Sequence, residues 1–304
     1  MAAEKATAIN KVTSRLYAYL QLTSFCLALA RTDLVSRAGQ HYEHFLSLKR
    51  ILEPHVGELK NKVILDIGCG RFFPTTLLLH SYGSRAIGID TAYIGLDTAF
   101  AKRWWKSWVT GSFYGFAREV FLDLSRGRQR YYRALQDLAD FPLVFEGLDI
   151  RVMNAEKLEL PDNSVDVGVS IDVFEHIAAV DKAAAELNRV LKPGGIAYLR
   201  IHLFSSISGG HHPQWADPEK VPPWAHLRGE RHSIPVSLNR LRKEEYLSLF
   251  KQRMDVLRVL EIDKGVGRDL LTPEIRSEMR RYSEDELLTT SIGLVVRKPL
   301  RDRL

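Results

Sequence analysis

Val63-Ile64-Leu65-Asp66-Ile67-Gly68-Cys69-Gly70 decides the fold. Its apolar half suits a strand buried on both faces, and the strand stops at two glycines, which let a ligand approach the backbone closely. A helical pattern follows over Phe73–Ser81. Strand, glycine turn and helix together require a parallel neighbour. The next apolar run, Arg85–Asp90, supplies it and ends in Gly88-Ile89-Asp90. An acidic residue about twenty positions beyond a glycine loop is placed to accept hydrogen bonds from the ribose of an adenosine-containing cofactor.

Outward from this unit the same alternation continues. Lys62–Ile67 and Arg85–Asp90 are joined by candidate strands at Asp149–Asn154, Val165–Ser170, Gly195–His202, Val256–Ile262 and Ile292–Arg297. Apolar residues recur at helical steps over Tyr42–Leu52, Lys182–Leu191 and Lys243–Met254. The pattern predicts an α/β fold, a Rossmann-like doubly wound seven-stranded mostly parallel sheet with helices on both faces. Two stretches are too long for ordinary connections. Residues 91–148 read as a helical cap insertion, and residues 203–241, rich in Pro, Gly, His and Trp, as an acceptor-side insertion. Both leave strand ends on the side where open parallel sheets bind ligands. The domain is then 41–304, after an N-terminal helical extension over 1–40.

Further blocks follow in order: Asn154-Ala155-Glu156, then Leu160-Pro161-Asp162-Asn163-Ser164-Val165-Asp166, then Ser170-Ile171-Asp172-Val173-Phe174-Glu175-His176, then Val190-Leu191-Lys192-Pro193-Gly194-Gly195. With the glycine loop and Asp90, this series resembles the class I S-adenosylmethionine-dependent methyltransferases, specifically the small-molecule, type 11-like group. The resemblance implies S-adenosylmethionine as cofactor. It places Asp66, Ile67, Gly68, Cys69 and Gly70 around the methionine part, Asp90 on the ribose, Asn154 and Ala155 at the adenine, and Ile171 and Asp172 beside the sulfur. Phe72 stands where the family has a third loop glycine, and Asn154 where aspartate is more frequent. The same residues have plainer readings: Asp172 as a helix N-cap and His176 as a packed residue of the following helix.

Composition narrows the partners. A formal net charge of +6 on 304 residues is ordinary for an enzyme and does not select nucleic acid or lipid. The fourth strand lacks the Asn/Asp-Pro-Pro-aromatic block of amino-directed DNA methyltransferases, and no Pro-Cys nucleophile is present. A small-molecule or glycan-like acceptor is therefore expected, methylated on oxygen; the alternatives are transfer to nitrogen or carbon of a small or lipid-linked acceptor, or a non-catalytic cofactor-binding scaffold protein. With only Cys26 and Cys69 present, a disulfide framework is not expected and a cytoplasmic location is. Leu16–Ala30 is shorter than the roughly 20 apolar residues of a membrane span, so membrane contact is not expected either.

An oxygen acceptor benefits from a base, usually histidine. The second insertion region offers His202, His211, His212, His226 and His232. Within Gly209-Gly210-His211-His212-Pro213-Gln214-Trp215, His211 and His212 are the catalytic candidates, on a loop expected to be mobile and to wall the acceptor. No metal is expected, because no ligand pair stands at helical i, i+4 spacing near Asp217 and Glu219. In the cap, Lys102–Trp108 and Arg126–Arg133 mix aromatics with basic residues; they suit either stacking on a ligand or an amphipathic helix pair burying its rings.

Overall fold

The computed structural model describes residues 33–91, 120–228 and 237–300. Two compact units divide the chain, one of Met1–His44 and Ala92–Leu143, the other of Phe45–Thr91 and Val144–Leu304. Seven strands are described: β1 (Val63–Ile67), β2 (Arg85–Asp90), β3 (Asp149–Val152), β4 (Val165–Ile171), β5 (Leu191–His202), β6 (Asp255–Lys264) and β7 (Thr289–Arg297). The helices used below are α1 (Leu34–Val56), α2 (Pro74–Ser81), α3 (Gly127–Leu138), α4 (Val180–Val190), α5 (Lys243–Lys251), α6 (Pro273–Glu278) and α7 (Glu284–Leu288).

All seven strands belong to the second unit and form one sheet in the order β3-β2-β1-β4-β5-β7-β6. From β3 to β5 every pairing is parallel, whereas β7 runs antiparallel to both β5 and β6. The expected seven-stranded, mostly parallel sheet is thus present. Chain order reverses at β1, which has β2 on one side and β4 on the other, and such a switch point opens a crevice beyond the strand ends. Its strands are apolar on both faces for this reason: Ile64 and Leu65 of β1 and Val167 and Val169 of β4 are fully buried. Amphipathic α4 closes that core with Ala183, Ala184, Leu187 and Val190.

Boundaries differ from the sequence reading where side chains or long-range pairing intervene. Strand β3 stops at Val152, and Asn154 turns the chain by accepting the backbone N–H of Glu156 on its Oδ1 at 2.9 Å. Strand β5 begins at Leu191, because Leu191 pairs with Val165 across a register shift. Helices α6 and α7 were not foreseen, although Thr272 and Ser283 cap them and Ser283 with Glu286 forms a capping box.

The second insertion is a correction. Its described part is packed: Ile207, Trp224 and Leu227 form a small core with Met279, Leu287 and Leu288, and Ser205, Ser206 and Ser208 are buried. The glycines that suggested mobility serve close packing, since a Cβ on Gly210 would stand 2.8 Å from the His226 ring.

In the first unit, α3 buries Tyr131 and Leu135 while Arg130 and Arg133 are exposed. The Tyr131 hydroxyl lies 2.6 Å from Nδ1 of His41. Over this stretch the aromatic-basic pattern is an amphipathic helix. Lys102–Trp108, Leu16–Ala30, Cys26 and His232 lie outside the described residues. Among the described residues no helix is long and apolar enough to cross a membrane.

Asp66 ties β1 to α2: it is 2% exposed and its Oδ2 accepts the Thr76 hydroxyl at 2.6 Å. Burial raises its pKa to about 7, with the Thr76 hydrogen bond opposing and the nearby Asp90 charge adding. In the unfolded chain a free Asp ionises near ~3.9. The folded state therefore holds a proton that the unfolded state has lost, and this group's contribution to stability falls as pH rises from about 4 to about 7. Asp66→Asn removes that dependence. The unfolding free energy of D66N relative to the parent, measured by urea denaturation, should rise by a few kcal/mol over this window and level off above it. A difference independent of pH would show that Asp66 is ionised throughout.

Candidate active site

Where β1 ends, the chain turns with Gly68 at φ 75° and Gly70 at φ 67°, a conformation that favours glycine. The N–H groups of Gly68 and Cys69 both donate to the Ile89 carbonyl, at 2.8 and 3.0 Å, and Gly70 N–H donates to Asp90 Oδ2 at 3.1 Å. Gly68 has no alternative: a Cβ there would collide with Val173 at the end of β4. Gly70 has open space instead, with nothing within 4 Å of the same position. Phe73, next to the Phe72 that stands in the third glycine's place, takes the left-handed conformation at φ 36° before Pro74 opens α2.

Beyond the strand ends lies a cleft of about 350 Å³. Of the residues expected at the cofactor, Ile67, Gly68, Asp90, Asn154, Ala155, Ile171 and Asp172 line it. Asp66, Cys69 and Gly70 do not line it, and the first two are buried. Sequence reasoning missed Met153, Val173 and Ile177, which supply much of the apolar wall, and His176, which was read mainly as packing. The first three only continue apolar runs of their elements, so nothing in their local sequence marks them. Asn154 is placed at the cleft, but its side-chain oxygen already serves its own turn.

Asp172 has φ 54°, its N–H donates to the Arg200 carbonyl, and its carboxylate stands 3.2 Å from Arg200 Nε. The next residues form the short turn Phe174–His176, stapled from a distance. Asn239 Nδ2 donates to the carbonyls of Phe174 and Ile177, and Asn239 Oδ1 accepts the Tyr246 hydroxyl of α5. This turn carries Glu175, only 3% exposed, whose pKa burial pushes up to about 8, with the Asp172 charge adding.

Histidines converge on the same place. The rings of His176 and His211 are 5.0 Å apart, and those of His202 and His211 are 4.9 Å apart. His202 is held by Ser208 Oγ at 2.9 Å, and burial lowers its pKa to about 3. Burial likewise lowers His211 to about 4, with His176 contributing. His212 is not part of this cluster; its Nδ1 accepts the N–H of Gln214. His226 bonds the Phe204 carbonyl. Asp217, on the exposed part of the loop, pairs with Lys220 at 2.6 Å.

The profile of a family described as a methyltransferase domain matches residues 107–199. Over 188 residues, 62% of this chain and 38% of the relative, the sequence is 24% identical to a sterol 24-C-methyltransferase of Pneumocystis carinii. Over 93 residues, 28% of this chain and 32% of the relative, it is 36% identical to a malonyl-acyl-carrier-protein O-methyltransferase of Methylococcus capsulatus. A solved protein of Pyrococcus horikoshii OT3 aligns over 88% of this chain and 94% of its own, with 17% identity and a TM-score of 0.49. The chain spans well under half the length of the curated relatives it matches.

Residues 107–199 match a methyltransferase domain, in line with the class I S-adenosylmethionine-dependent, type 11-like group that the sequence resembles. Its cofactor is S-adenosylmethionine, and the residues present fit that molecule: an open backbone at Gly70, a carboxylate at the cleft and apolar walls between Met153 and Ile177.

If Asp90 holds the ribose, Asp90→Ala should weaken binding of S-adenosylhomocysteine by about 1.5–3 kcal/mol per charged hydrogen bond lost, roughly 10- to 100-fold. Asp90→Asn, which keeps an acceptor for Gly70 N–H, should lose less. Calorimetric titration checks both, and an unchanged dissociation constant for D90A would remove Asp90 from the site.

Proposed function

We propose that this protein transfers the methyl group of S-adenosylmethionine to oxygen on a small-molecule or glycan-like acceptor, acting in the cytoplasm. The observation that carries the reading is the cleft at the sheet's switch point, with Asp90 at one part of its lining and Asp172 and His176 at another. The bound cofactor supplies a methyl group already activated on a sulfonium. The chain's own task is then largely positioning and exclusion of water. Asp90 takes the ribose hydroxyls, Asn154 and Ala155 face the adenine among Met153 and Ile177, and the loop at Gly68 and Gly70 meets the methionine part, with open space at Gly70.

His176 and His211 favour oxygen as the atom methylated, since they gather nitrogen donors where a hydroxyl has to be oriented and relieved of its proton. His211, rather than His212, is the catalytic histidine in this reading, because only His211 joins the cluster that reaches the cleft. Carbon is the second reading, favoured by the sterol C-methyltransferases among the relatives.

Incubation of the protein with methyl-labelled S-adenosylmethionine and cell extract should label a low-mass or glycan fraction. Hydriodic acid, which cleaves methyl ethers but not C-methyl groups, should release that label as methyl iodide. His211→Ala should lower turnover roughly 100-fold or more with cofactor affinity near normal. Label confined to RNA or protein would refute the acceptor class, and label that survives hydriodic acid would move the assignment to carbon or nitrogen.

A further inference from the structure

We propose that Glu175, His176 and His211 form a binding site for a divalent transition-metal ion of the zinc or cobalt type, beside the cofactor cleft and open to an acceptor hydroxyl. The ligand atoms of the three side chains all lie within 4.8 Å of one another. Metal–ligand bonds of about 2.0–2.2 Å span that separation with small side-chain rotations.

The cluster carries its own marks of an unmet partner. Glu175 is 3% exposed, yet no side chain or cation meets its carboxylate, which only the backbone N–H groups of Glu175 and His202 approach, and Nε2 of His211 is buried without a hydrogen-bond partner. A buried carboxylate without a cationic partner is costly, and native structures rarely keep one without a reason. His176 is already oriented as a ligand: its Nδ1 stands 3.0 Å from the Ser237 carbonyl, so that nitrogen carries the proton and Nε2 offers its lone pair. Metal-bound histidines commonly use such a carbonyl to fix the ring and its tautomer. His211 is held in place by a left-handed backbone at φ 56° and by its N–H bond to the Ser208 carbonyl at 2.9 Å.

Two imidazoles and one carboxylate make a borderline donor set, suited to zinc-like ions rather than to the all-oxygen shells of calcium or magnesium. His202, the nearest further imidazole, is engaged by Ser208, which leaves three protein ligands and an open position. His176 also lines the cleft, so the open position faces the acceptor's side. There an acceptor hydroxyl bound to the ion becomes more acidic. With His211 engaged as a ligand rather than as a base, the hydroxyl gives its proton to solvent, its oxygen lone pair forms the new C–O bond, and the C–S bonding pair goes to the cofactor sulfur. The sequence expectation of no metal rested on the lack of local ligand spacing; these ligands come from two distant segments. The site itself stands on the geometry, whereas the role of the hydroxyl rests on the methyltransferase reading.

Tag-free, chelator-treated full-length protein titrated calorimetrically with Zn²⁺, and with Co²⁺ while its visible absorption is recorded, tests the site. We expect one equivalent to bind, with affinity reduced at least about tenfold in each of E175Q, H176Q and H211Q, and unchanged in His55→Gln at an exposed histidine. No saturable binding by the parent protein, or binding equal in parent and all three variants, would overturn the site. S-adenosylhomocysteine is titrated into the same preparations. Variants that bind it normally are folded. Metal binding without it would leave the site and remove the methyltransferase role, whereas its binding without metal would do the reverse.

Discussion

The contact that organises this molecule is the touch between Gly68 at the end of β1 and Val173 just past the end of β4, with no room for a Cβ between them. It pins together the two strands that flank the sheet's switch point. With that edge closed, the loop can only open toward β2, where Ile89 and Asp90 collect the N–H groups of Gly68, Cys69 and Gly70. The same loop delivers Thr76 onto the buried Asp66, so cofactor loop, helix α2 and strand β1 are fixed as one piece. A preformed cleft follows from this packing, because the loop backbone is already fixed by its own bonds to Ile89 and Asp90.

The far side of the cleft depends on a different constraint. The turn Phe174–His176 is too short to hold a buried glutamate by itself. Asn239 and Tyr246, contributed more than sixty residues later, supply the bonds that keep it in place. That end of the cleft is thereby coupled to the packing of α5 and of the segment that carries Asn239. The small core around Trp224 and Ile207 gives the second insertion the rigidity on which the histidine cluster relies.

Much of this was legible in the sequence, and the limits have physical causes. Strand runs such as Val63–Ile67 are apolar on both faces and announce themselves. The glycine spacing and Asp90 point at the same cleft because backbone conformation and charge are local properties. What local pattern cannot carry is pairing at a distance. Leu191 reads as a helix end until Val165 is beside it, and that the Asn154 oxygen caps its own turn is visible only in the fold. Among adjacent histidines, composition does not separate His211 from His212; only the left-handed backbone and the neighbouring His176 and His202 do so. Glu175 looks like a first-turn acid in sequence, and its burial emerges only from the fold.

A crystal structure with S-adenosylhomocysteine bound is the most direct measurement. The adenosine should lie in the cleft with its ribose hydroxyls on Asp90 and its base between Met153–Ala155 and Ile177, and the sulfur should sit between the glycine loop and Asp172. Density for the molecule at any other place, or its sulfur turned away from Asp172 and His176, would contradict the assignment of this cleft as the site of methyl transfer.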